Sequence, residues 1–488
     1  MHCPPALRNL LRLRGQIPHT SRVMSTVGKF RDKMKEAGLQ GPAIRAFERA
    51  FDQLVSNKDA MLPESSIKPV ESLPKATDLP EPAPDEWARL LGECAILKLN
   101  GGLGTSMGLE KAKSLLEVRP GVTFLDLIAR QILAFRKTTG ADVRFLLMNS
   151  FSTSADTRKF LESVPELGSP DDIELLQNKI PKINAETLEP AEWPANPDLE
   201  WCPPGHGDLY TVLSGSGVID RLIDAGIRYV FVSNSDNLGA TLDPRLLKWF
   251  ANSGAPFAME VTARTPSDRK GGHLAIGAGG GLLLRESAQC PDEDLDAFQD
   301  ITRHRFFNTN NLWLRLEPLR DALNAAGGFL PLPVIRNKKT VNPRDKDSPK
   351  VIQLESAMGA AIECFPNSAA IEVPRTRFAP VKTTSDLLTL RSDAYVIDDE
   401  GRVQLAPECA GIPPKIDLDD HYKLVDALET AIADGAPSLK ACKRLSISGP
   451  VSLSSDVIFR GEVEITNSSA DRVRIEPGTY SDQHLSLP

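Results

Sequence analysis

The segment LKLNGGLGTSMG, residues 97 to 108, joins a short apolar run to a loop that contains four glycines. The apolar run begins at Ala95 and has the composition of a buried strand. Glycines remove side chains over a short distance, which allows backbone N–H groups to approach a ligand closely. Phosphate is the commonest ligand of such a loop, so the segment predicts an anion-binding turn at the end of a strand.

This loop matches neither of two familiar nucleotide-binding sequence patterns. A P-loop requires GxxxxGK[ST], but Gly108 is followed by Leu109. The dinucleotide fingerprint requires GxGxxG. Gly102 and Gly104 supply the first two glycines, but Met107 stands where the third glycine is required. The loop alone therefore leaves two alternatives open, a purely structural turn and a nicotinamide-dependent oxidoreductase.

The composition is typical of a globular protein with several domains. The chain has 488 residues, 41% of them apolar, and a net charge of −8. This charge disfavours binding to nucleic acid or to an anionic membrane surface, and no apolar run is long enough to span a bilayer. Seven cysteines lie far apart without a CxxC pair, so we expect reduced thiols and a cytoplasmic protein.

The N-terminal segment is rich in arginine. Residues 1–23 contain four arginines and no acid, which leaves an organelle-targeting peptide open as an alternative. We favour the simpler interpretation that the folded protein begins at Met24.

From Cys94 onward, apolar strands alternate with amphipathic helices. Strand-like runs at 95–99 and 229–232 are each accompanied by a helical pattern, the second one near residues 212–225. Strands without polar alternation, separated by helices, predict a doubly wound, mostly parallel, Rossmann-like sheet. In such folds ligands bind beyond the carboxyl ends of the strands. A basic run at 336–350 predicts a solvated loop, with a lid over phosphates as the alternative.

Two apolar registers recur with a period of six near the C-terminus. The first register is formed by Leu445, Val451, Val457 and Val463. The second register is formed by the apolar residues that lie two positions after each of these. This period is typical of a parallel β-helix, in which each hexapeptide forms one side of a coil. A β-sandwich edge is the alternative. The predicted α/β organisation is an N-terminal helical segment and linker over 1–90, a catalytic domain over 91–392 and a β-helix domain over 393–488.

A series of separated motifs resembles the eukaryotic-type UDP-glucose pyrophosphorylases, or UTP–glucose-1-phosphate uridylyltransferases. The resemblance begins with LNGGLGTSMG and Lys113-Ser114, and it extends in matching order from about residue 28 to the C-terminus. The further motifs are MNSF at 148–151, PPGHGD at 203–208, VSNSDNLGA at 232–240, KGG at 270–272, FNTNNLW at 307–313, VIQLESAMGAAI at 351–362 and PVKTTSDLL at 380–388.

The resemblance implies a reversible, Mg²⁺-dependent reaction of UTP with glucose 1-phosphate, which gives UDP-glucose and pyrophosphate. The sugar phosphate attacks the α-phosphorus in line, so the protein must align two polyanions and neutralise developing charge. The resemblance also implies a left-handed β-helix and assembly of copies through it. The alternatives are a broader UDP-sugar or UDP-N-acetylhexosamine pyrophosphorylase and a non-catalytic sensor of sugar nucleotides.

The same resemblance assigns roles to individual residues. The catalytic residues are Lys113, on the triphosphate, and Lys382, between the α-phosphate and the sugar phosphate. The nucleotide-binding residues are Leu99, Gly101, Gly102, Gly104, Lys113, Gln177, Gly205 and Asp236, and Asp236 is also the Mg²⁺ ligand. The residues for the sugar phosphate and the glucose hydroxyls are His206, Asn234, Gly272, Glu286, Asn308 and Asn310. One departure from the family pattern is Glu110, an acid where the family usually has a lysine.

Overall fold

The computed structural model describes residues 21–56 and 61–488. Residues 1–20 of the arginine-rich segment lie outside the described residues, so the two interpretations of that part stay predictions. The expected start of the fold at Met24 needs correction, because the first described helix begins at Ser21. Within the described part of the chain, no helix combines the length and apolarity needed to cross a bilayer.

Two helices begin the described chain and pack through aromatic side chains. They are α1 (Ser21–Glu36) and α2 (Gly41–Val55). The ring of Phe30 in α1 lies 5.0 Å, centroid to centroid, from the rings of both Phe47 and Phe51 in α2. The same core contains apolar residues from strands much later in the sequence. The N-terminal helices therefore pack against the main body of the molecule.

The middle of the chain alternates strands and helices. The segment after α2 adds the short strand β1 (Ile67–Pro69) and helix α3 (Pro84–Gly92). The strands that follow are β2 (Cys94–Asn100), β3 (Glu117–Arg119), β4 (Val122–Thr123), β5 (Arg144–Asn149), β6 (Glu174–Leu176), β7 (Ile180–Pro181), β8 (Ile183–Asn184), β9 (Trp201–Cys202), β10 (Tyr229–Asn234), β11 (Phe257–Ala263), β12 (His273–Gly277), β13 (Leu282–Arg285), β14 (Phe306–Arg315), β15 (Ile335–Thr340), β16 (Lys350–Glu355) and β17 (Ala369–Glu372). The helices are α4 (Phe124–Thr139), α5 (Ser154–Ser163), α6 (Pro170–Ile173), α7 (Leu209–Gly215), α8 (Val218–Asp224), α9 (Pro244–Ser253), α10 (Leu295–Gln299), α11 (Leu316–Ala326) and α12 (Thr384–Arg391).

A mixed ten-stranded sheet forms the centre of this region. The main strand order is β1-β12-β14-β10-β2-β5-β6, and β11, β13 and β17 pair beside this path. Strands β10, β2, β5 and β6 run parallel, as the alternation of strands and helices predicts. Strand β14 joins β10 in the antiparallel direction. Its asparagine-rich sequence conceals the strand pattern, so the sequence analysis did not predict it.

Side chains along β2 alternate between two cores on opposite faces of the sheet. Ile96 belongs to the core that contains Leu127 of α4 and Phe231 of β10. Leu97 belongs to the core that contains Leu213 of α7. Because helices cover both faces, the strand can be apolar along most of its length.

Two sequence-based interpretations need correction. The helix expected near residues 212–225 is divided into α7 and α8, because Gly217 between them adopts a left-handed φ of +67° that interrupts the helix. The basic run at 336–350 forms most of a β-hairpin, with β15 antiparallel to β16 and β8 as a third strand. At the hairpin turn, a nitrogen of Arg344 lies 4.0 Å from Glu110 Oε1, and both side chains are almost fully exposed.

The C-terminal strands stack mainly in parallel. The elements are β18 (Tyr395–Ile397), β19 (Val403–Leu405), β20 (Lys415–Leu418), α13 (Val425–Ala431), β21 (Ser438–Ser448), β22 (Val451–Ser452), β23 (Val457–Asn467), β24 (Val473–Arg474) and β25 (Gly478–Leu487). Strands β20, β21, β23 and β25 form one parallel sheet, and β22 and β24 form another. Members of the predicted registers pair between neighbouring strands, as Leu445 does with Val463.

The C-terminal strands share a core with the central region. Leu445 and Val463 belong to the same apolar cluster as Leu127 of α4. The side chain of Gln131, also in α4, donates a 2.7 Å hydrogen bond to the carbonyl oxygen of Gly401. The two regions are therefore joined by buried contacts.

Candidate active site

The glycine loop leaves β2 at the carboxyl edge of the parallel strands. Leu99 pairs with Asn234 of β10 on one side and with Met148 of β5 on the other. Gly104 has a φ of +68°, which favours glycine. In contrast, a Cβ atom on Gly102 would meet no atom within 4 Å. Crowding therefore does not explain that glycine, and the close approach of a ligand to its backbone stays a prediction.

Lys113 closes the loop and forms an ion pair beside it. Its backbone N–H donates to the carbonyl oxygen of Gly102 at 3.0 Å. Its Nζ lies 2.6 Å from Oδ2 of Asp236. The two side chains are 14% and 20% exposed, so the pair is largely buried but retains contact with solvent. A carboxylate and an ammonium group in contact can serve a divalent cation and a phosphate, respectively.

Main-chain hydrogen bonds connect the glycine loop to two distant segments. The N–H of Ser235 donates to the carbonyl oxygen of Leu99 at 3.0 Å. The N–H of Val381 donates to the carbonyl oxygen of Asp236 at 3.2 Å. Asn234, the last residue of β10, and the loop after it, which carries Asp236, therefore lie between the glycine loop and the segment that carries Lys382.

Lys382 is exposed in the segment that leads into α12. Its N–H donates to Oδ2 of Asp386 at 2.8 Å, and its ammonium group lies 5.8 Å from the ring centroid of Phe378. These residues line an open cavity of about 340 Å³. Within the described chain the Lys382 ammonium forms no ion pair. Lys382 is thus connected to Asp236 by the main-chain hydrogen bond of its neighbour Val381, and the side chains of Lys382 and Asp236 do not contact each other.

Gln177 lies between two of the predicted glycines. Its Nε2 donates to the carbonyl oxygen of Gly205 at 2.8 Å. A Cβ on Gly101 would lie 3.1 Å from Gln177 Oε1, and one on Gly205 would lie 2.5 Å from the carbonyl oxygen of Ser356. Ser150, which the sequence analysis did not select, donates from Oγ to the carbonyl oxygen of Gly101 at 2.9 Å. Gly205 therefore permits close packing that a side chain would prevent, and a side chain at Gly101 would crowd the Gln177 amide.

His206 uses one ring nitrogen to accept a backbone hydrogen bond. The N–H of Met358 donates to Nδ1 of His206 at 3.1 Å. A neutral imidazole with an accepting Nδ1 carries its proton on Nε2. Burial lowers the pKa of His206 to about 4, so the ring is neutral at pH 7. It presents an N–H donor without a positive charge.

The predicted sugar-binding residues form two close pairs. A Cβ on Gly272 would lie 2.5 Å from Glu286 Oε2, and burial raises the pKa of Glu286. Asn308 Nδ2 donates to Oδ1 of Asn310 at 2.9 Å, and the N–H of Asn310 donates back to Oδ1 of Asn308 at 2.9 Å. Asn310 adopts a left-handed φ of +59°. Asn308 and His206 both lie against the 3₁₀ helix Met358–Cys364.

A buried polar network that was not predicted from the sequence links Asn237, next to the predicted metal ligand, to Asn311, next to the predicted sugar-binding residue Asn310. Asn237 Nδ2 donates to the carbonyl oxygen of Arg377 at 3.1 Å and lies 3.4 Å from Oδ1 of Asn311. The guanidinium of Arg377 forms two 2.8 Å hydrogen bonds with Glu260, which has no exposed side-chain surface. The available signal was Glu260, a charged residue within the mostly apolar strand β11.

Asp236 is the predicted metal ligand, and it does not belong to a closed protein cage. Across residues 21–56 and 61–488, no group of three or more His, Cys, Asp and Glu residues could hold a metal ion.

A family model described as UTP–glucose-1-phosphate uridylyltransferase matches residues 44–460. The chain belongs to the UTP–glucose-1-phosphate uridylyltransferase family. The family predicted from the motifs is thereby confirmed, as is the prediction of an enzyme of this class. The nicotinamide-dependent oxidoreductase alternative is wrong.

Relatives in the uridylyltransferase family match over most of the chain. The UTP–glucose-1-phosphate uridylyltransferase of Saccharomyces cerevisiae is 38% identical over 475 residues, which cover 94% of this chain and 92% of that protein. A probable UTP–glucose-1-phosphate uridylyltransferase of Schizosaccharomyces pombe is 41% identical over 391 residues, which cover 80% of this chain and 76% of that protein.

Solved structures of related enzymes share the fold. A mutant UDP-glucose pyrophosphorylase from Leishmania major, in complex with UDP-glucose, superposes with a TM-score of 0.90 at 46% identity, covering 96% of this chain and 100% of that chain. A protein described as UDP-glucose phosphorylase from Trypanosoma brucei gives a TM-score of 0.86 at 47% identity, covering 95% and 100%.

Proposed function

We propose that this chain catalyses the reversible formation of UDP-glucose and pyrophosphate from UTP and glucose 1-phosphate, with Mg²⁺ as cofactor. One observation supports this proposal above the others, the series of direct contacts from Gly102 to Lys113, Asp236 and Val381. These contacts gather a glycine loop, an ammonium group, a carboxylate and the segment of a second lysine at one edge of the sheet. Such groups are needed to bring two mutually repelling polyanions together.

The proposed nucleotide site combines Lys113, the backbone of the glycine loop and the Gln177 pocket. The Lys113 ammonium is already directed at an anion, Asp236 Oδ2, and would exchange it for a phosphate oxygen of UTP. Gly102 leaves the backbone accessible for the same triphosphate. Gln177, between Gly101 and Gly205, would read the uracil, because an amide both donates and accepts hydrogen bonds.

The residues present fit a Mg²⁺ ion at Asp236. Asp236 supplies a partly exposed carboxylate, and Mg²⁺ commonly binds through one or two carboxylates together with substrate phosphates. When bound, the ion would supply charge neutralisation at the α-phosphate and at the leaving pyrophosphate.

The proposed reaction requires no nucleophile from the protein. An oxygen of glucose 1-phosphate forms a bond to the α-phosphorus of UTP, and the bond to pyrophosphate breaks. Lys382 would stabilise the charge that concentrates on the α-phosphate and the sugar phosphate. Neutral His206 and Asn234 would orient the sugar phosphate, and Gly272, Glu286, Asn308 and Asn310 would hold the glucose hydroxyls.

The direct test is pyrophosphate release from UTP with a panel of sugar 1-phosphates, with ATP and GTP as controls. We expect release with UTP and glucose 1-phosphate and little with ATP or GTP. Equal rates with several hexose 1-phosphates, or preference for N-acetylhexosamine 1-phosphate, would favour the broader pyrophosphorylase. UTP binding without turnover would favour a sensor.

The Mg²⁺ assignment has its own test in Asp236→Asn. This change keeps the size of the side chain and removes its charge, so we expect activity to fall by about 100-fold and the Mg²⁺ requirement to rise. Isothermal titration of Mg²⁺ in the presence of UTP would measure the binding directly. An unchanged titration would contradict the role of Asp236.

We also propose that the C-terminal strands form the left-handed β-helix that the family resemblance implies, over residues 393–488, beside a catalytic domain over 91–392 and an N-terminal segment over 1–90. The repeated parallel pairing of β21, β23 and β25 supports the β-helix. Among the strands of the described residues, β25 pairs only with β23, which leaves its other edge for assembly of copies. Light scattering of the purified chain would measure that assembly.

A cytoplasmic location is part of the same proposal. The six cysteines that the structure describes are unpaired, which is typical of a reducing compartment. Fractionation of cells that express the full chain would test it.

A further inference from the structure

Lys98 is a buried lysine in the strand that leads into the glycine loop. Only 3% of its surface is exposed. Its Nζ donates to Oγ of Ser233 and to the carbonyl oxygen of Ala240, both at 2.8 Å. Both acceptors are neutral, and burial lowers the pKa of Lys98 to about 7. A buried amine without a carboxylate in contact is costly, so its position calls for a specific explanation.

The two acceptors of Lys98 lie at the two ends of the loop that carries Asp236. Ser233 is the register partner of Lys98 at the end of β10, and Ala240 is the fully buried residue at which the loop returns to the core. One amine therefore holds both ends of the segment 234–239. Fixing the ends of a short loop restricts the positions that its side chains can adopt.

Lys98 cannot act on the substrate directly. Its ammonium group lies 5.9 Å from the ring centroid of Phe231, a fully buried residue of the core beneath the sheet. The loop above it contacts both phosphate-binding elements, through Ser235 to Leu99 and through Asp236 to Val381. An effect of Lys98 on the reaction must therefore pass through the loop.

We propose that Lys98 is a positioning residue that sets the affinity of the site for its divalent cation, because it holds the two ends of the Asp236 loop. The proposal rests on the proposed function for the role of Asp236. Groups behind a metal ligand commonly change metal affinity by 10- to 100-fold when they are replaced, so an effect of this size is expected.

The test is Lys98→Met, which keeps the length of the side chain and removes both hydrogen bonds. We expect amide hydrogen exchange in residues 233–240 of the substrate-free protein to accelerate by about tenfold or more. We expect the Mg²⁺ concentration for half-maximal activity to rise by about tenfold, with the KM for glucose 1-phosphate changed less than about twofold. Ser233→Ala, which removes one of the two bonds, should shift both quantities in the same direction by a smaller amount.

Lys182→Met is the matched control. Lys182 is also buried, and its Nζ donates a single 2.9 Å hydrogen bond to the carbonyl oxygen of Val341, away from the Asp236 loop. It should lower stability without changing exchange in 233–240 or the Mg²⁺ dependence. If the Lys98 and Ser233 variants behave like this control, the proposal is overturned.

The exchange measurement separates this proposal from the proposed function. A wild-type chain without UTP-dependent pyrophosphate release would contradict the function, whereas faster loop exchange in Lys98→Met would still support the positioning role. If Lys98→Met does not fold, Ser233→Ala decides the question by the same two measurements.

Discussion

At the scale of single residues, the candidate site depends on charges that neutralise one another in the absence of substrate. Lys113 and Asp236 are only partly exposed, and their charged groups pair at 2.6 Å. The attraction between the two charges offsets the free-energy cost of removing each from water. Lys382 is exposed and follows Val381, whose N–H donates to the carbonyl oxygen of Asp236. Among the described residues, the candidate site thus has one cation that is already paired, Lys113, and one without an ion pair, Lys382.

Lys382→Ala should lower kcat by at least about 100-fold and change the KM for either substrate by less than about threefold. The reason is that a charge that acts on the crowded α-phosphate contributes mainly in the transition state. Steady-state kinetics would measure kcat and KM separately. The control is Lys443→Ala, at an exposed C-terminal position. A large rise in KM at constant kcat would assign Lys382 to ground-state binding instead.

The buried His206 should make the free energy of unfolding decrease as the pH falls. Its folded-state pKa, about 4, lies below the ordinary value of 6.5, so between these values the unfolded chain binds more protons than the folded chain. The stabilisation that His206 provides is therefore complete above about pH 6.5 and is lost as the pH falls toward 4. Urea unfolding of wild type and His206→Asn should give a difference in stability that shrinks over this window. A difference independent of pH would contradict the neutral assignment.

At the scale of elements, the site lies where parallel strands end and loops from several elements meet. The strands at 95–99 and 229–232 were predictable because their apolar residues are continuous and both faces of the sheet are covered. Strand β14 and the β15–β16 hairpin were not predictable from pattern. Their polar residues contact the site or the solvent instead of a core, so apolar periodicity is weak there.

The PPGHGD turn gives a prediction at this scale. Gly205 has a φ of +81°, and a Cβ there would lie 2.5 Å from the Ser356 carbonyl oxygen, whereas Gly226 has a φ of +83° and open space around it. Gly226→Ala should therefore cost roughly 1 kcal/mol, from backbone strain alone. Gly205→Ala should cost roughly 3 kcal/mol or more and raise the KM for UTP, because Gln177 loses its partner. Chemical denaturation and UTP titration of both variants would check this, and equal effects would contradict it.

At the scale of the whole molecule, the C-terminal strands and the central sheet share one apolar core. Such a core predicts that the two regions unfold together, because neither can lose its packing alone. The hydrogen bond from the Gln131 side chain of α4 to the Gly401 carbonyl oxygen adds a polar connection across the same boundary.

Leu445→Ala tests this coupling. Leu445 is fully buried in the C-terminal part of the shared core, and truncation of such a leucine costs about 3 kcal/mol. All five tryptophans precede the C-terminal strands, so their fluorescence reports the rest of the molecule. We expect Leu445→Ala to lower the unfolding midpoint seen by tryptophan, while Val396→Ala, at a half-exposed position, has little effect. A tryptophan transition unchanged by Leu445→Ala would show independent unfolding.

The sequence by itself determined the family, the α/β class and the residues to consider, because short motifs and apolar periodicity are local properties of the chain. Only the tertiary structure decided how these residues meet. Lys98, Ser233 and Ala240 become partners because β2 and β10 are neighbours in the sheet although they are distant in sequence. Strand order and the return path of a loop depend on packing of the whole chain, and that information is absent from any single motif.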